Sequence, residues 1–113
     1  MNNIALVLNV AFFRTEAGNE PVREWLMELP RESKKRIGTD IKSVQFGWPQ
    51  GMPMVRKLEH RLWEVRTDLG ENTACVIFTL IDSQMVLLHG FIKKSQKTPS
   101  VDLNTARRRK CKL

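Results

Sequence analysis

LWEVRTDLGENTACVIFTLIDSQMVLLHGFIKK, Leu62 to Lys94, reads as three strands joined by two turns. Leu62 to Thr67, Thr73 to Ile81 and Met85 to Ile92 are dense in β-branched, aromatic and other apolar residues, which suit a pleated, half-buried surface. Between the first two lies Asp68 to Asn72, which contains Gly70, and between the last two lie Asp82 and Ser83. Connections this short join neighbouring strands antiparallel, so an antiparallel meander is expected. Alternation along the first strand sends Leu62, Glu64 and Arg66 to one face and Trp63, Val65 and Thr67 to the other.

Upstream, IALVLNVAFF (Ile4 to Phe13) is an apolar run bounded by polar residues from Arg14 to Asn19 and reads as a buried strand. Pro21 suits a first helical turn, and Val22, Trp25, Leu26 and Leu29 follow at the spacing of one helix face. Pro30 ends that helix, because proline disfavours the α conformation in the residue before it. A second helix is expected from about Arg31 to Phe46, with Ile37, Ile41 and Val44 on one face and Lys34, Lys35, Asp40 and Lys42 elsewhere. GWPQGMP, Gly47 to Pro53, holds two glycines and two prolines and is the main loop. Beyond the meander, Pro99 or Ser100 starts a terminal helix that packs Val101 and Leu103 on the sheet ahead of the basic run Arg107 to Lys112. The order is an N-terminal strand, a helical hairpin, the meander and a short C-terminal helix: an α+β fold in one domain, 1–113.

Hydrophobic residues make up 42% and charged residues 27% of the chain, the balance of a globular domain. The apolar stretches fall well short of the roughly 20 residues that span a bilayer, and no basic leader precedes Ile4 to Val10, so neither a membrane segment nor a signal peptide is expected. Cys75 and Cys111 form no CxxC pair and no zinc set with His60 and His89, which points to a reducing cytoplasm. Net charge is +7, and it is one-sided: seven Lys and Arg meet six Asp and Glu up to Pro53, but twelve meet six from Met54 onward. Such a surface attracts polyphosphates. No phosphate-binding glycine loop, GxSxG or HExxH is present. The carboxylates of the second half, Glu59, Glu64, Asp68, Glu71, Asp82 and Asp102, are scattered singly, which argues against a two-metal nuclease and implies no cofactor.

What remains is a density of cations near strand ends: Arg56, Lys57, Arg61, Arg66, Lys93, Lys94 and Lys97. Spacing alone favours a solvated rim for them. The chemical alternative is a group that stabilises the extra negative charge on a phosphorus while a ribose 2′-hydroxyl attacks and the 5′-oxygen leaves, a route to RNA cleavage without metal. His89 is either an acid or base near neutral pH or a hydrogen-bonded cap on the core. His60 lies in a charged turn and reads as exposed. Trp25 and Trp63 fall in periodic patterns and read as core, which leaves Trp48, in the loop, to contact a ligand or partner.

VRKLEHRLWEVR (Val55 to Arg66), VLLHGFIKKSQKTP (Val86 to Pro99) and the Ala106 and arginine-rich end, with PVREWL and PRESKK in the helical hairpin, resemble the phage-derived HigB-like branch of the RelE/ParE type II toxin superfamily over nearly the whole chain. The resemblance implies a RelE-like fold, a ribosome-dependent mRNA endonuclease (mRNA interferase) and a cognate helix-turn-helix antitoxin, with operator DNA bound only through the toxin–antitoxin complex. It places Arg66, Lys93 and Lys94 on the active face, and from the distribution of basic residues Lys57, Lys97, Arg107 and Arg108 are expected as further RNA contacts. It also implies an arginine on the middle meander strand, facing the scissile phosphate, where this chain has Cys75, twelve residues before Leu87. A thiol offers no fork of donors, so cleavage is expected to be weakened and Cys75→Arg to restore it. The chain has no tyrosine to act as base, and His89 and the lysines must cover that work. A ParE-like gyrase inhibitor and a non-catalytic nucleic-acid-binding autoregulatory module are the alternatives on the same scaffold.

Overall fold

The computed structural model describes residues 7–49, 54–94 and 97–113. Its elements run β1 (Asn9–Phe12), α1 (Pro21–Met27), α2 (Arg31–Gly47), β2 (Val55–Glu59), β3 (Leu62–Asp68), β4 (Thr73–Ile81), β5 (Gln84–Lys93) and α3 (Ser100–Lys110). All strands join one 5-stranded sheet in the order β1-β5-β4-β3-β2. The α+β order, the helical hairpin and the terminal helix are as expected, except that of the two side chains expected to pack this helix on the sheet Leu103 does so and Val101 is exposed. The sheet differs in being mixed, because β1 runs parallel to β5 while the rest is antiparallel. The meander also has an extra strand, β2. VRKLE carries little apolar alternation, and its pairing with β3 slips between Lys57 and Glu59, so the period-2 signal is broken where the strand lies. Of the expected N-terminal strand, residues 4–6 lie outside the described residues, as do residues 50–53 of the main loop.

The two sheet faces are covered differently. The α1–α2 hairpin lays Val22, Ile37, Ile41 and Val44 against Val65, Val76, Phe78, Met85 and Leu87. On the opposite face α3 contributes Ala106 and Leu103 to a second core with Leu62, Cys75, Ile77, Leu88 and Phe91. Trp48 belongs to the first core. At the end of α2 its N–H donates to the Val44 carbonyl (3.0 Å), and the ring meets Trp63 edge-on at 5.3 Å and Phe78 at 5.8 Å. The expectation of a ligand-contacting Trp48 is therefore corrected: the turn that closes the helix folds the indole back onto the sheet, where its area is buried. Among the described residues no helix is long and apolar enough to cross a membrane.

A bulge in β5 decides what faces α3. Ile77 pairs with His89 but Phe78 pairs with Leu87, so Leu88 is the extra residue. Strict alternation would put His89 beside Leu87 on the hairpin face; the bulge moves it to the α3 face and turns Gly90 toward Trp25. A Cβ at Gly90 would lie 2.3 Å from Trp25 Cε3. Gly90→Ala is expected to cost about 1–3 kcal/mol by overpacking, read as a lower urea midpoint with unchanged slope. A midpoint equal to that of the parent would mean that the indole has room to shift.

Candidate functional site

At one end of the sheet β3 finishes, β4 begins and β5 finishes, with Asp68 paired to Thr73 and Thr73 to Lys93. There an open cleft of about 540 Å³ is lined by Arg66, Asp68, Glu71, Asn72 and Lys94 among others. A shallower hollow by Met54 shares Arg66, Asp68 and Thr73 with it. The wall is the turn between β3 and β4. Asp68 Oδ1 accepts the Gly70 N–H (2.8 Å) and the Asn72 carbonyl accepts the Leu69 N–H (2.9 Å), while Gly70 takes φ +97°, a conformation that glycine adopts without strain. The turn DLGEN thus brings two carboxylates, Asp68 and Glu71, beside Arg66 and Lys94. In the sequence these acids stand singly, and their place in the turn directly after the Arg66 strand is the signal that brings them together.

Beneath the cleft lies a buried polar cluster. Lys93 Nζ donates to Glu64 Oε2 at 3.2 Å, with side chains 1% and 0% exposed. Thr98 Oγ1 donates to Glu64 Oε1 at 2.8 Å. Lys93 is at the rim by its position in β5, but its ammonium turns inward to the carboxylate, and the outward cation there is Lys94. Cys75 is fully buried, paired across the strands with Arg66 and Phe91, and does not line the cleft. The expectation that residue 75 faces a phosphate is therefore corrected, and with it Cys75→Arg as a repair: Glu64, Lys93, Phe91 and α3 cover that position, so an arginine there would enter a packed core.

Burial, followed by the charge of Glu64, pushes the Cys75 thiol up from the ordinary 9.0 to about 12. The folded thiol therefore keeps its proton where the unfolded one loses it, so this contribution to stability is complete below about pH 9 and is lost as pH rises toward about 12. Native protein at pH 8 is expected to react with a thiol reagent once, at the exposed Cys111, and twice after denaturation. Two fast native equivalents would contradict the burial.

The other candidate residues stand elsewhere. His89, four residues before Lys93 on β5 and so about 13 Å along the strand, is held by α3: Asp102 Oδ1 lies 2.6 Å from its Nε2 and Arg109 Nη1 lies 3.5 Å from its Nδ1. Arginine can only donate, so Nδ1 accepts and Nε2 carries the hydrogen that Asp102 receives. Arg109 also donates to the Leu88 carbonyl (2.8 Å), and burial lowers its pKa. Arg107 is spent on Glu59, with Nε 3.0 Å from Oε2; that hydrogen bond holds the Glu59 carboxyl below its usual range and raises the guanidinium. Arg108 is exposed on the same helix. Lys57 sits over the Trp63 ring at 6.0 Å, toward the hairpin face, and Lys97 directly precedes Thr98. His60 is exposed. The fold thus gathers Arg66, Lys94 and, underneath, Lys93 and Cys75, while His89, Lys57, Arg107 and Arg108 lie apart from them. Among the described residues no group of three or more His, Cys, Asp or Glu is arranged to hold a metal ion.

Such an arrangement can hold a phosphodiester against an arginine fork and an ammonium, with two carboxylates lining the same cleft as candidate proton acceptors. Compared with known proteins, residues 24–111 match the family model described as Phage derived protein Gp49-like (DUF891), a span that runs from α1 through α3. No curated protein matches the chain.

Proposed function

The chain belongs to the Gp49-like family of phage-derived proteins, a RelE/ParE-type toxin family, and from that premise we propose that it is the toxin of a type II toxin–antitoxin pair that cuts mRNA on the ribosome. The single observation that carries this reading is the open cleft lined by both Arg66 and Lys94 at the end of the sheet. In the proposed reaction the 2′-oxygen of one nucleotide attacks the adjacent phosphorus, its proton passing to a base. The 5′-oxygen leaves with a proton, and a 2′,3′-cyclic phosphate remains. Arg66 and Lys94 neutralise the phosphoryl oxygens as charge builds on them. Asp68 and Glu71 are the carboxylates within the cleft that can accept the hydroxyl proton, whereas both ring nitrogens of His89 are already engaged by α3. Its site of action is then the cytoplasm, and its restraint a small helix-turn-helix antitoxin through which the pair reaches operator DNA.

Primer extension on ribosome-bound mRNA tests the proposal. Cuts within codons are expected; supercoiling inhibition without cuts would replace it with gyrase inhibition, and RNA binding with neither would leave a binding module. Binding itself is expected to be phosphate-driven. With roughly three to five phosphates contacted, affinity for single-stranded RNA falls about 20- to 100-fold between 50 and 200 mM salt. Lys94→Glu is expected to weaken it more than Lys34→Glu, which changes an exposed position on α2. A flat salt response, or equal effects of the two reversals, would show that the cleft is not where RNA binds.

A further inference from the structure

One buried carboxylate ties the end of β5 to the start of α3. Glu64, fully buried in β3, receives Lys93 Nζ (3.2 Å) from the last residue of β5 and Thr98 Oγ1 (2.8 Å) from just ahead of α3. The buried Cys75 thiol is close enough for the charge of Glu64 to raise its pKa. Taking an ammonium and a carboxylate out of water is costly, and replacing a buried ion pair by apolar side chains is often neutral for stability, so the ion pair calls for another explanation. Its neighbours supply one. Lys94 follows Lys93 and lines the cleft, and Lys97 precedes Thr98, so the two residues that Glu64 grips are those that set the backbone of the two exposed lysines.

We propose that Glu64, through Lys93 and Thr98, is a positioning residue that holds Lys94, which lines the cleft, and Lys97, which adjoins Thr98, in fixed relation to Arg66, so that these cations are placed before RNA arrives. The inference rests on the RNA reading of the cleft. Glu64 touches no RNA; it removes the ordering that binding would otherwise have to impose on the lysines. Lys93 serves as the inner half of this latch.

Thr98→Val removes one arm of the latch while leaving the buried ion pair intact, and Thr98→Ser restores the hydroxyl. Two measurements on the full chain are made: the Kd for a short single-stranded RNA, and amide hydrogen exchange at Lys94 and Lys97. Thr98→Val is expected to speed exchange at both amides and to raise Kd about 3- to 10-fold, with Thr98→Ser close to wild type on both. A purely structural role would lower the melting temperature and leave Kd at low temperature unmoved, and that result overturns the inference. Glu64→Gln, if folded, should exceed Thr98→Val in both readouts. Wild-type protein that binds no RNA, while Thr98→Val still speeds exchange, would sink the RNA reading and leave the latch standing. Unchanged exchange in Thr98→Val sinks the latch whatever the RNA result.

Discussion

Arg66→Ala lowers the rate of mRNA cleavage on the ribosome by about a hundred- to a thousandfold, the usual loss when one preorganised charged donor is removed from a developing oxyanion. Arg66 is the residue for this role because the sheet holds its backbone from both sides. Its N–H donates to the Met54 carbonyl (2.8 Å), and it pairs with Cys75 across β4, so the start of the side chain is fixed while its end reaches the cleft. It makes no ion pair with a carboxylate among the described residues. Its removal should consequently leave stability within about 0.5 kcal/mol, as surface substitutions usually do. Arg66→Lys keeps the charge but loses the planar fork and is expected to fall between the two. Single-turnover cleavage on programmed ribosomes, with urea denaturation as control, measures both quantities. Cleavage by a folded Arg66→Ala variant within about threefold of the parent rate, far short of the loss expected of an oxyanion donor, would remove Arg66 from the chemistry.

Lys93→Met destabilises the fold by about 3–5 kcal/mol, because it leaves the Glu64 carboxylate buried with the Thr98 hydrogen bond to offset its lost hydration. For a chain of this size that corresponds to a melting temperature lower by roughly 10 to 30 °C. The double variant Lys93→Met/Glu64→Met removes both charges and fills the space with apolar side chains of similar volume. It should recover to within about 1 kcal/mol of the parent or exceed it. The two substitutions are therefore expected to be strongly non-additive, and a denaturant double-mutant cycle measures the coupling. Equal losses from the single variants that simply add in the double would show that Lys93 and Glu64 do not act as a pair. RNA binding by the stable double variant is informative as well: a latch that positions Lys94 and Lys97 predicts weaker binding even where stability has returned.

Much of the architecture was legible in the sequence because it rests on local periodicity. The spacing of Ile37, Ile41 and Val44 specified the buried face of α2, and all three are buried against the sheet. Alternation from Leu62 to Thr67 separated Trp63 and Val65, in the hairpin core, from Leu62, in the core under α3. The turn at Asp82 and Ser83 was equally plain, since Asp82 adopts φ 55°, which aspartate tolerates better than most residues. β2 escaped because its pairing depends on a bulge and on a neighbour to pair with, neither of which leaves a repeating pattern in five residues.

The site was only half legible, and the division has a physical cause. Composition and position along the strands determined that cations gather at the end of the meander, and that Arg66 and Lys94 are among them. Whether a given cation is free or neutralised depends on what packs against it, which no local pattern encodes. Lys93 and Lys94 are adjacent and chemically identical in the sequence, and both border the cleft, yet the Lys93 ammonium is sealed onto Glu64 while Lys94 is exposed. His89 was visible as a candidate base, but the bulge at Leu88 turns it to the α3 face, and Asp102, 13 positions further along the chain, occupies it there. Arg107 is likewise claimed by Glu59, 48 positions away. Cys75, read as facing a phosphate, lies buried because α3 folds over its strand. The sequence by itself determined the elements and the sign of the surface, through short-range periodicity and charge count. Tertiary structure alone decided which charges remain available to a partner, because burial and long-range pairing change the free energy of a charge far more than its neighbours along the chain do.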